Sequence, residues 1–295
     1  MFKRTLLMST LAISSAANAY MFEATYEYSD GNIKPEVNGT NSGDIEPSFH
    51  LLDVRVYMED VSIAGGAWEE AAFLDKASYV NGQWRGLDVE VGNVMIKSND
   101  YLIGGQAVIN DFIIRTNIST GKNQSTDDRS VSGGFGFGSY IGEHHALTGD
   151  ITFDYDSAED AFAYRLGVNY HGYLPIGDSI QSMSFDGTLY TNNTRYAADN
   201  RNGTLTGFSG IYTYYPLPQV GVGAEFDITS GSNREITGNY TDSTSSDLGL
   251  FVHYYPINHF RLGFNVMTGK EEDRTTNSKT INQTKSWAFN VRLRF

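Results

Sequence analysis

The sequence predicts an all-β protein, a closed antiparallel transmembrane β-barrel of 14 strands in up-and-down order, with short periplasmic turns and longer extracellular loops. Three observations support this fold class. Apolar and polar residues alternate along most of the chain, which is the pattern of strands with two different faces. After Tyr20, no apolar run approaches the length that a transmembrane helix needs. Aromatic residues make up 13% of the chain, and many fall near predicted strand ends, where membrane barrels concentrate them.

The first nineteen residues have the pattern of an export signal. Lys3 and Arg4 precede a short apolar run, and the small-residue sequence A-N-A ends at Ala19, as a signal peptidase requires. We expect residues 1–19 to be a cleaved signal peptide and residues 20–295 to form a single transmembrane barrel domain.

Seven hairpins account for the alternating segments. The second half repeats at about 40 residues, with a proline after aromatic residues at Pro175, Pro216 and Pro256. Counting back from these turns places further short turns near residues 59–66, 110–111 and 142–145. Long polar connections are predicted at residues 31–47, 82–98, 121–129, 156–160, 193–203, 230–245 and 271–281. An even strand number puts both termini on the periplasmic side, so the first strand can pair with the last and close the sheet.

One position in this order has two candidate strands. Residues 68–81 begin with good helix formers between Trp68 and Lys76, whereas residues 86–96 alternate between apolar and polar. Counting both as membrane strands would give fifteen, which would leave one terminus on the wrong side. We predict that residues 68–81 span the membrane and that residues 86–96 lie in the long loop.

Composition excludes several classes of function. The chain carries 35 acidic and 21 basic residues, a formal net charge of −14, so nucleic acid is not an expected partner. It has no cysteine, which excludes disulfides and thiolate chemistry. A secreted soluble sandwich, lectin or propeller is the main alternative architecture. Charged residues well inside the strands favour the barrel, where they can line a wet lumen.

No arrangement of catalytic or metal-binding residues is recognisable. The sequence has no G-x-S-x-G and no H-E-x-x-H motif. Adjacent His144 and His145 would point to opposite faces of a strand, and all six histidines except His50 fall near the predicted short-turn ends. We interpret them as solvated or interfacial side chains, and we expect no enzymatic activity, no cofactor and no metal.

The C-terminus carries a resemblance to a known class of proteins. The strand W-A-F-N-V-R-L-R followed by Phe295 resembles bacterial outer-membrane β-barrels, in which a final aromatic residue is the signal for the assembly machinery. The segment E-A-A-F-L-D-K-A-S, from Glu70 to Ser78, is similar to the putative general porin family of Gram-negative (gammaproteobacterial) species. The resemblance implies a diffusion channel, with outer-membrane lipid, lipopolysaccharide and the barrel-assembly machinery as partners.

Placing the polar strand faces inward predicts which residues line the pore. They are Glu23, Glu27, Asp53, Arg55, Arg115, Asp150, Asp154, Arg165, Glu225, Asp227, Arg261, Arg292 and Arg294. Closure brings the arginines of the last strand next to the glutamates of the first, and the aspartates of the seventh strand next to Arg165. Such groups either neutralise one another and order the wall, or form a transverse field that orients passing solutes.

We expect the protein to be a water-filled channel for passive diffusion of small hydrophilic solutes and ions, as a monomer rather than a trimer. Acidic residues dominate the predicted outer loops, which raises the local cation concentration and predicts a mild cation preference. Two alternatives remain. One is a barrel with a blocked lumen whose loops act as a receptor or adhesin surface, and the other is an outer-leaflet enzyme.

Overall fold

The computed structural model describes residues 19–63, 66–92, 94–158, 160–177, 180–196, 202–234, 240–275 and 278–295. The predicted signal peptide, apart from Ala19, lies outside the described residues. Within them the chain forms fourteen long strands. These are β1 (Ala19–Val37), β2 (Ile45–Ser62), β3 (Tyr79–Val91), β4 (Val94–Ile109), β5 (Phe112–Asn123), β6 (Arg129–Tyr140), β7 (His145–Asp156), β8 (Ala161–Pro175), β9 (Ser182–Tyr196), β10 (Asn202–Leu217), β11 (Val220–Arg234), β12 (Tyr240–Ile257), β13 (Phe260–Thr275) and β14 (Lys279–Arg294).

The sheet is closed. Each strand pairs antiparallel with the next along the chain, and β14 pairs with β1 from Glu23 opposite Arg294 to Val37 opposite Thr280. Every long strand therefore has two neighbours, so the sheet presents no edge. The predicted closed, up-and-down, 14-stranded barrel is confirmed. We call the end at which β1 begins and β14 ends the termini end, and the opposite end the far end.

The strands are longer and most far-end connections are shorter than predicted. Polar residues expected in loops continue the strands: β1 extends to Val37, and β12 begins at Tyr240. The far-end connections comprise residues 38–44, 92–93, 124–128, 157–160, 197–201, 235–239 and 276–278. A two-residue strand, Thr40–Asn41, pairs back onto β1 within the first of them. Asn, Ser and Thr residues continue in these extensions, so polarity alone does not end a strand here.

The assignment of the third strand was wrong. Residues 68–70 form one 3-10 turn and Ala71–Leu74 form a short helix, α1, while β3 and β4 include residues 79–91 and 94–109. Residues 86–96 therefore lie in a tight hairpin rather than in a long loop. Gly92, with φ of 61°, provides the left-handed backbone conformation in the turn. In place of the short turn predicted near residues 59–66, β2 continues to Ser62 and a 16-residue connection leads from there to β3.

This connection folds into the barrel at the termini end. We call its described part, residues 66–78, the inner segment. The buried side chains of the barrel collect around it: Ala71 packs with Tyr20, Tyr57, Val61 and Ile63. Ala67 packs with Tyr173 and Tyr215 of β8 and β10, on another part of the wall. Of the helical pieces in the described chain, none is both long and apolar enough to cross a bilayer.

Candidate functional site

The lumen is narrowed by the inner segment, which is fixed to the barrel wall through its backbone. The Trp68 N–H donates to the Pro218 carbonyl at 2.9 Å, and Arg294 Nη1 donates to the Trp68 carbonyl at 2.6 Å. The Ala67 N–H donates to the Tyr173 hydroxyl at 3.1 Å. These partners lie on β8, on β14 and in the β10–β11 connection, so the segment reaches across the lumen from the β2–β3 side.

Glu69 is the centre of the polar contacts of the segment. Its Oε1 accepts hydrogen bonds from Arg261 Nη1 at 2.6 Å and from Arg292 Nη1 at 2.7 Å. Its Oε2 accepts one from the Tyr255 hydroxyl at 2.6 Å. Burial alone would raise the pKa of Glu69, but the guanidinium groups of Arg261 and Arg292 hold it well below its usual range. The carboxylate is therefore charged at neutral pH and bridges β12, β13 and β14.

Glu70 makes a second set of contacts on a different part of the wall. Its Oε1 accepts a hydrogen bond from the Tyr215 hydroxyl at 2.6 Å, and His171 Nε2 lies 3.0 Å from its Oε2. The other ring nitrogen of His171 contacts the Asp186 carboxylate. Only 7% of Glu70 is exposed. Adjacent glutamates thus attach one turn of the segment to strands on two sides of the lumen.

Apolar and terminal contacts complete the docking. The ring centroids of Phe73 and His171 are 3.9 Å apart, and those of Phe73 and Tyr140 are 5.3 Å apart. At the C-terminal end of the segment, Lys76 Nζ donates to Asp111 Oδ1 at 2.6 Å. Gln106 Nε2 donates to the Ala77 carbonyl at 3.1 Å. The segment is held along its whole described length.

Four of the predicted pore-lining residues converge near the inner segment. Arg294 Nε lies 2.9 Å and Arg292 Nε 3.5 Å from Glu23, and Arg261 joins them through Glu69. Glu27 instead lies opposite Asn290 in the register of β1 and β14. The arginines of this group therefore have carboxylate partners inside the barrel.

The remaining predicted residues are spread along the wall. Arg55 Nε pairs with Asp53 at 2.9 Å, and Arg115 Nε donates to Gln106 at 2.8 Å. The Arg165 guanidinium lies over the Tyr190 ring at 3.8 Å rather than in an ion pair with the aspartates of β7. Asp150 accepts a hydrogen bond from Asn169, Asn265 donates to Glu225 at 2.5 Å, and Asp154 and Asp227 border cavities described below.

Three cavities follow the lumen past the segment. One of about 330 Å³ borders the inner segment and is lined by residues that include Arg55, Arg115, Phe73, His171 and Asp186. A second of about 320 Å³ lies beside it, because Asp186 and Thr188 line both. A third of about 400 Å³ lies nearer the far end, between Arg85, Asp100 and Asp154. The linings of the three cavities include charged residues and extend from β2 to β13.

The second cavity is acidic. Four carboxylates line it, those of Asp186, Glu225, Asp227 and Asp247, and its described lining contains no lysine or arginine. Among the described residues, no group of three His, Asp or Glu side chains is arranged to hold a metal ion. The arrangement concentrates negative charge on one part of the wall, and in a low-dielectric surround this attracts cations.

Sequence reasoning missed Glu69, Glu70, His171, Tyr215 and Asp186 as parts of this site. The predicted solvated histidine His171 is inside the barrel, and so is His253, on the face of β12 that carries Tyr255. One sequence pattern could have indicated this site: two glycines, two adjacent glutamates and a run of helix formers follow one another after β2. A helical turn inserted between two strands places neighbouring side chains on different sides, which a strand assignment conceals.

The outer surface of the barrel is apolar over a continuous belt. Large hydrophobic side chains are exposed on every strand, among them Leu52, Ile103, Ile118, Phe135, Val168, Leu189, Leu250 and Phe289. They alternate with the inward polar residues, as expected of strands between lipid and a wet lumen. Such a belt is too extensive for a soluble protein. The fold is that of an outer-membrane β-barrel.

Known proteins share little sequence with the chain. No protein-family model and no curated protein matches the chain. The chain is similar to the outer membrane protein Omp33 of Acinetobacter baumannii, with 16% identity, a TM-score of 0.48 and coverage of 94% of this chain and 99% of that one. It is also similar to OmpT of Vibrio cholerae, with 11% identity, a TM-score of 0.45 and coverage of 95% and 99%. An outer membrane channel of Pseudomonas putida F1 shares 9% identity, with a TM-score of 0.46 and coverage of 95% and 97%.

Proposed function

We propose that the protein is an outer-membrane channel through which small hydrophilic solutes and ions diffuse passively. The observation that carries the proposal is the pair of adjoining cavities with charged linings, one of which borders the inner segment, inside an edgeless barrel. In this proposal residues 1–19 are a cleaved signal peptide and residues 20–295 form the barrel, which acts as a monomer. No chemical step and no cofactor are involved.

The route that we propose runs between the inner segment and the wall formed by β2 to β9. Its narrow part is the cavity of about 330 Å³, where Arg55 and Arg115 lie on one side. Asp186 lies on the other side and also lines the acidic cavity. A solute that passes here meets both signs of charge before it reaches the termini end, so small hydrated solutes are favoured.

A mild cation preference is part of the proposal. Arg261, Arg292 and Arg294 are paired with Glu69 or Glu23, so little of their charge acts on the lumen. The described lining of the acidic cavity contains no lysine or arginine. The unpaired charge along the route is therefore mainly negative, and negative charge raises the local cation concentration.

The docked inner segment also favours a second candidate, a barrel closed at its termini end that acts as a receptor through its far end. The segment has polar contacts to β8, β10, β12, β13 and β14. An element held by this many partners is expected to leave only rarely. The two candidates differ in whether the native protein conducts.

The deciding experiment is single-channel recording of the refolded protein in a planar bilayer with a potassium chloride gradient. We compare the native chain with a variant in which residues 67–76 are replaced by a glycine-serine sequence of equal length. The matched control carries the same kind of replacement in residues 124–128, at the far end. Native current with a cation-selective reversal potential supports the channel. A native protein that is silent while the 67–76 variant conducts supports the closed receptor. Silence of all folded variants contradicts both candidates, the open channel and the barrel closed by the inner segment.

We also propose that the C-terminal strand is the part recognised by the assembly machinery. A backbone oxygen of Phe295 accepts hydrogen bonds from the N–H groups of Met21 and Phe22, and the Phe295 N–H donates to the Phe22 carbonyl. The rings of Phe22 and Phe295 are 5.7 Å apart. The last residue thus belongs to the seam that must form for the barrel to close, which supports a role in assembly.

A further inference from the structure

Basic residues are scarce in this chain, yet four of them lie together on the outward face of β13 and β14. Lys270, Arg274 and Lys279 surround the Glu272 carboxylate, at 3.3, 2.5 and 3.1 Å. The fourth is Lys285, which lies opposite Thr268 of β13, two register positions nearer the termini end than Lys270. Glu272 is 13% exposed, whereas the three cations around it are 43% to 65% exposed. The cations therefore keep most of their hydrogen-bonding capacity for another ligand.

The outward direction of this cluster follows from the strand alternation. On β13, Phe264 and Val266 belong to the exposed apolar belt, and Lys270 and Arg274 share their face because they are an even number of residues away. On β14, Trp287 and Phe289 are exposed, and the same rule places Lys285 on their face. The basic cluster thus begins directly beyond Trp287, at the boundary between the apolar belt and the far end. Lipid headgroups lie at this height.

A groove in the outer surface leads from the cluster into the belt. Lys270 and Lys285 lie at the rim of a surface cavity of about 490 Å³, whose lining also includes Phe226, Ile228 and Leu248. Ile228 and Leu248 are each 55% exposed. The groove therefore combines two ammonium groups at the headgroup level with apolar side chains toward the membrane, and Ser246, Asp247, Thr268, Gln283 and Thr284 complete its polar lining. A phosphate with an attached acyl chain matches both halves of this surface.

Other outward lysines at the far end are arranged differently. Lys97 pairs with Asp88 at 2.8 Å and Lys122 with Asp127 at 2.5 Å. Carboxylates also border the basic cluster, namely Asp242 on β12 and Glu36 on β1, but no described ion pair joins them to it. Cations thus outnumber carboxylates in the cluster on β13 and β14, whereas Lys97 and Lys122 each have one carboxylate partner.

We infer that the outward face of β13 and β14 binds lipopolysaccharide, with the phosphates of its glucosamine headgroup on the Lys270, Arg274, Lys279 and Lys285 cluster and an acyl chain in the adjacent groove. Phosphate groups accept several charge-assisted hydrogen bonds from lysine and arginine. The inference rests on the outer-membrane placement in the proposed function, which puts the far end in the outer leaflet. Conduction through the lumen is not required for it.

The test compares the native barrel with the double variant Lys270→Gln/Lys285→Gln in phosphatidylcholine nanodiscs that contain a low fraction of bisphosphorylated lipid A. The matched control is Lys97→Gln/Lys122→Gln, which removes two outward lysines that each have a carboxylate partner. Lipid A retained per barrel is measured by native mass spectrometry, and heat-modifiable gel mobility verifies folding. Each lysine near an anionic lipid surface contributes about fivefold, so the double variant is expected to bind about thirtyfold more weakly, while the control stays within about twofold of the native chain.

Two results would overturn the inference: equal loss in the control, or no loss in the double variant. Phosphatidylglycerol replaces lipid A in a parallel measurement, and equal retention of this lipid by the native chain would also overturn the assignment to a glycolipid. Single-channel current is recorded for the double variant in phosphatidylcholine, where we expect the native conductance. A silent native barrel that still retains lipid A would contradict the proposed channel and leave the lipid site supported.

Discussion

Glu69 holds the inner segment by dividing its two oxygens among three partners on three strands. Oε1 serves two guanidinium groups, and Oε2 serves the Tyr255 hydroxyl. Arg261 is 4% exposed, so it has little access to water that could replace this carboxylate. Removing one member of a buried ion pair costs more than the pair contributes, because the other charge is left without a partner.

The substitution Glu69→Gln is expected to release the inner segment for part of the time. The amide keeps the size of the side chain but removes the charge that Arg261 and Arg292 face, which destabilises docking by about 3 kcal/mol. We expect a higher mean single-channel conductance and more frequent large openings, measured in planar bilayers. The same variant should be cleaved faster within residues 66–78 by added protease.

Asp154→Asn is the matched control for this prediction. Asp154 is also a lumen carboxylate, but it lines the cavity near the far end and not the one at the inner segment. Its replacement should leave protease sensitivity of the segment at the native level. If Glu69→Gln and Asp154→Asn behave alike, Glu69 does not hold the segment.

The sequence could predict some of these contacts and not others. Strand alternation and closure place the arginines of β14 beside Glu23, since these positions are adjacent in any closed sheet with both termini at one end. Glu69 is different, because its partners Arg261 and Arg292 are 192 and 223 residues away along the chain. No local pattern specifies where a side chain on a connection will meet the wall of the barrel.

At the scale of elements, the inner segment shows why residues 68–81, predicted to be a strand, begin instead with a short helix in a connection. Ala71, Ala72 and Leu74 have high helix propensity, and their packing against Tyr20 and Tyr173 stabilises a helix too short to persist alone. The even strand number correctly excluded one of the two candidates. It could not decide which, because β3 carries polar residues at its far end that resemble a loop.

The contribution of Glu69 to docking of this element should depend on pH in the acid range. The pKa of Glu69 is lowered in the docked segment and returns to its ordinary value of 4.5 when the segment is released. A group with a lowered pKa stabilises the docked state fully above 4.5, and the stabilisation is lost as the pH falls below that value. We therefore expect equal conductance at pH 7 and pH 5, and a rise as the pH falls from about 4.5 toward 3.

Glu69→Gln provides the control for the pH measurement, because it lacks the titrating group. The conductance of this variant should not rise as the pH falls below 4.5. Heat-modifiable gel mobility verifies that the barrel stays folded at these pH values. A native conductance that rises between pH 7 and pH 5 would show that another group controls docking.

At the scale of the whole molecule, charges are sorted around the circumference of the barrel. The arginines of β13 and β14 are neutralised by Glu23 and Glu69 near the termini end. The carboxylates of β9, β11 and β12 line a cavity whose described lining contains no lysine or arginine. The sequence predicted inward charges of both signs, but their heights depend on the stagger of the strands, which alternation does not determine.

The double variant Asp227→Asn/Asp247→Asn should reduce the cation preference of the channel. Both residues line the acidic cavity, and the amides keep their size while removing two negative charges from the route. We expect the reversal potential in a potassium chloride gradient to shift toward zero. The effect should persist at high salt, since ions passing the cavity are within a few ångströms of these groups.

Asp128→Asn/Asp242→Asn is the comparison for this measurement, because these carboxylates lie at the far-end mouth and on the outer face. Their influence acts through solution and is screened beyond about 10 Å at 0.1 M salt and about 3 Å at 1 M. They should change selectivity at low salt only. A larger effect of this pair at both salt concentrations would assign selectivity to the mouth.

The position of the inner segment in the chain sets the order of events during assembly. The segment follows the second strand, yet Glu69 has no guanidinium partner until β13 and β14 have been added, some 200 residues later. Closing such a loop has an entropic cost that is met only when the last strands reach the first. The contacts of Glu69 with its two guanidinium groups therefore form after those of Ala67 and Glu70 with β8 and β10 can form, so full docking of the segment belongs to the last steps of folding.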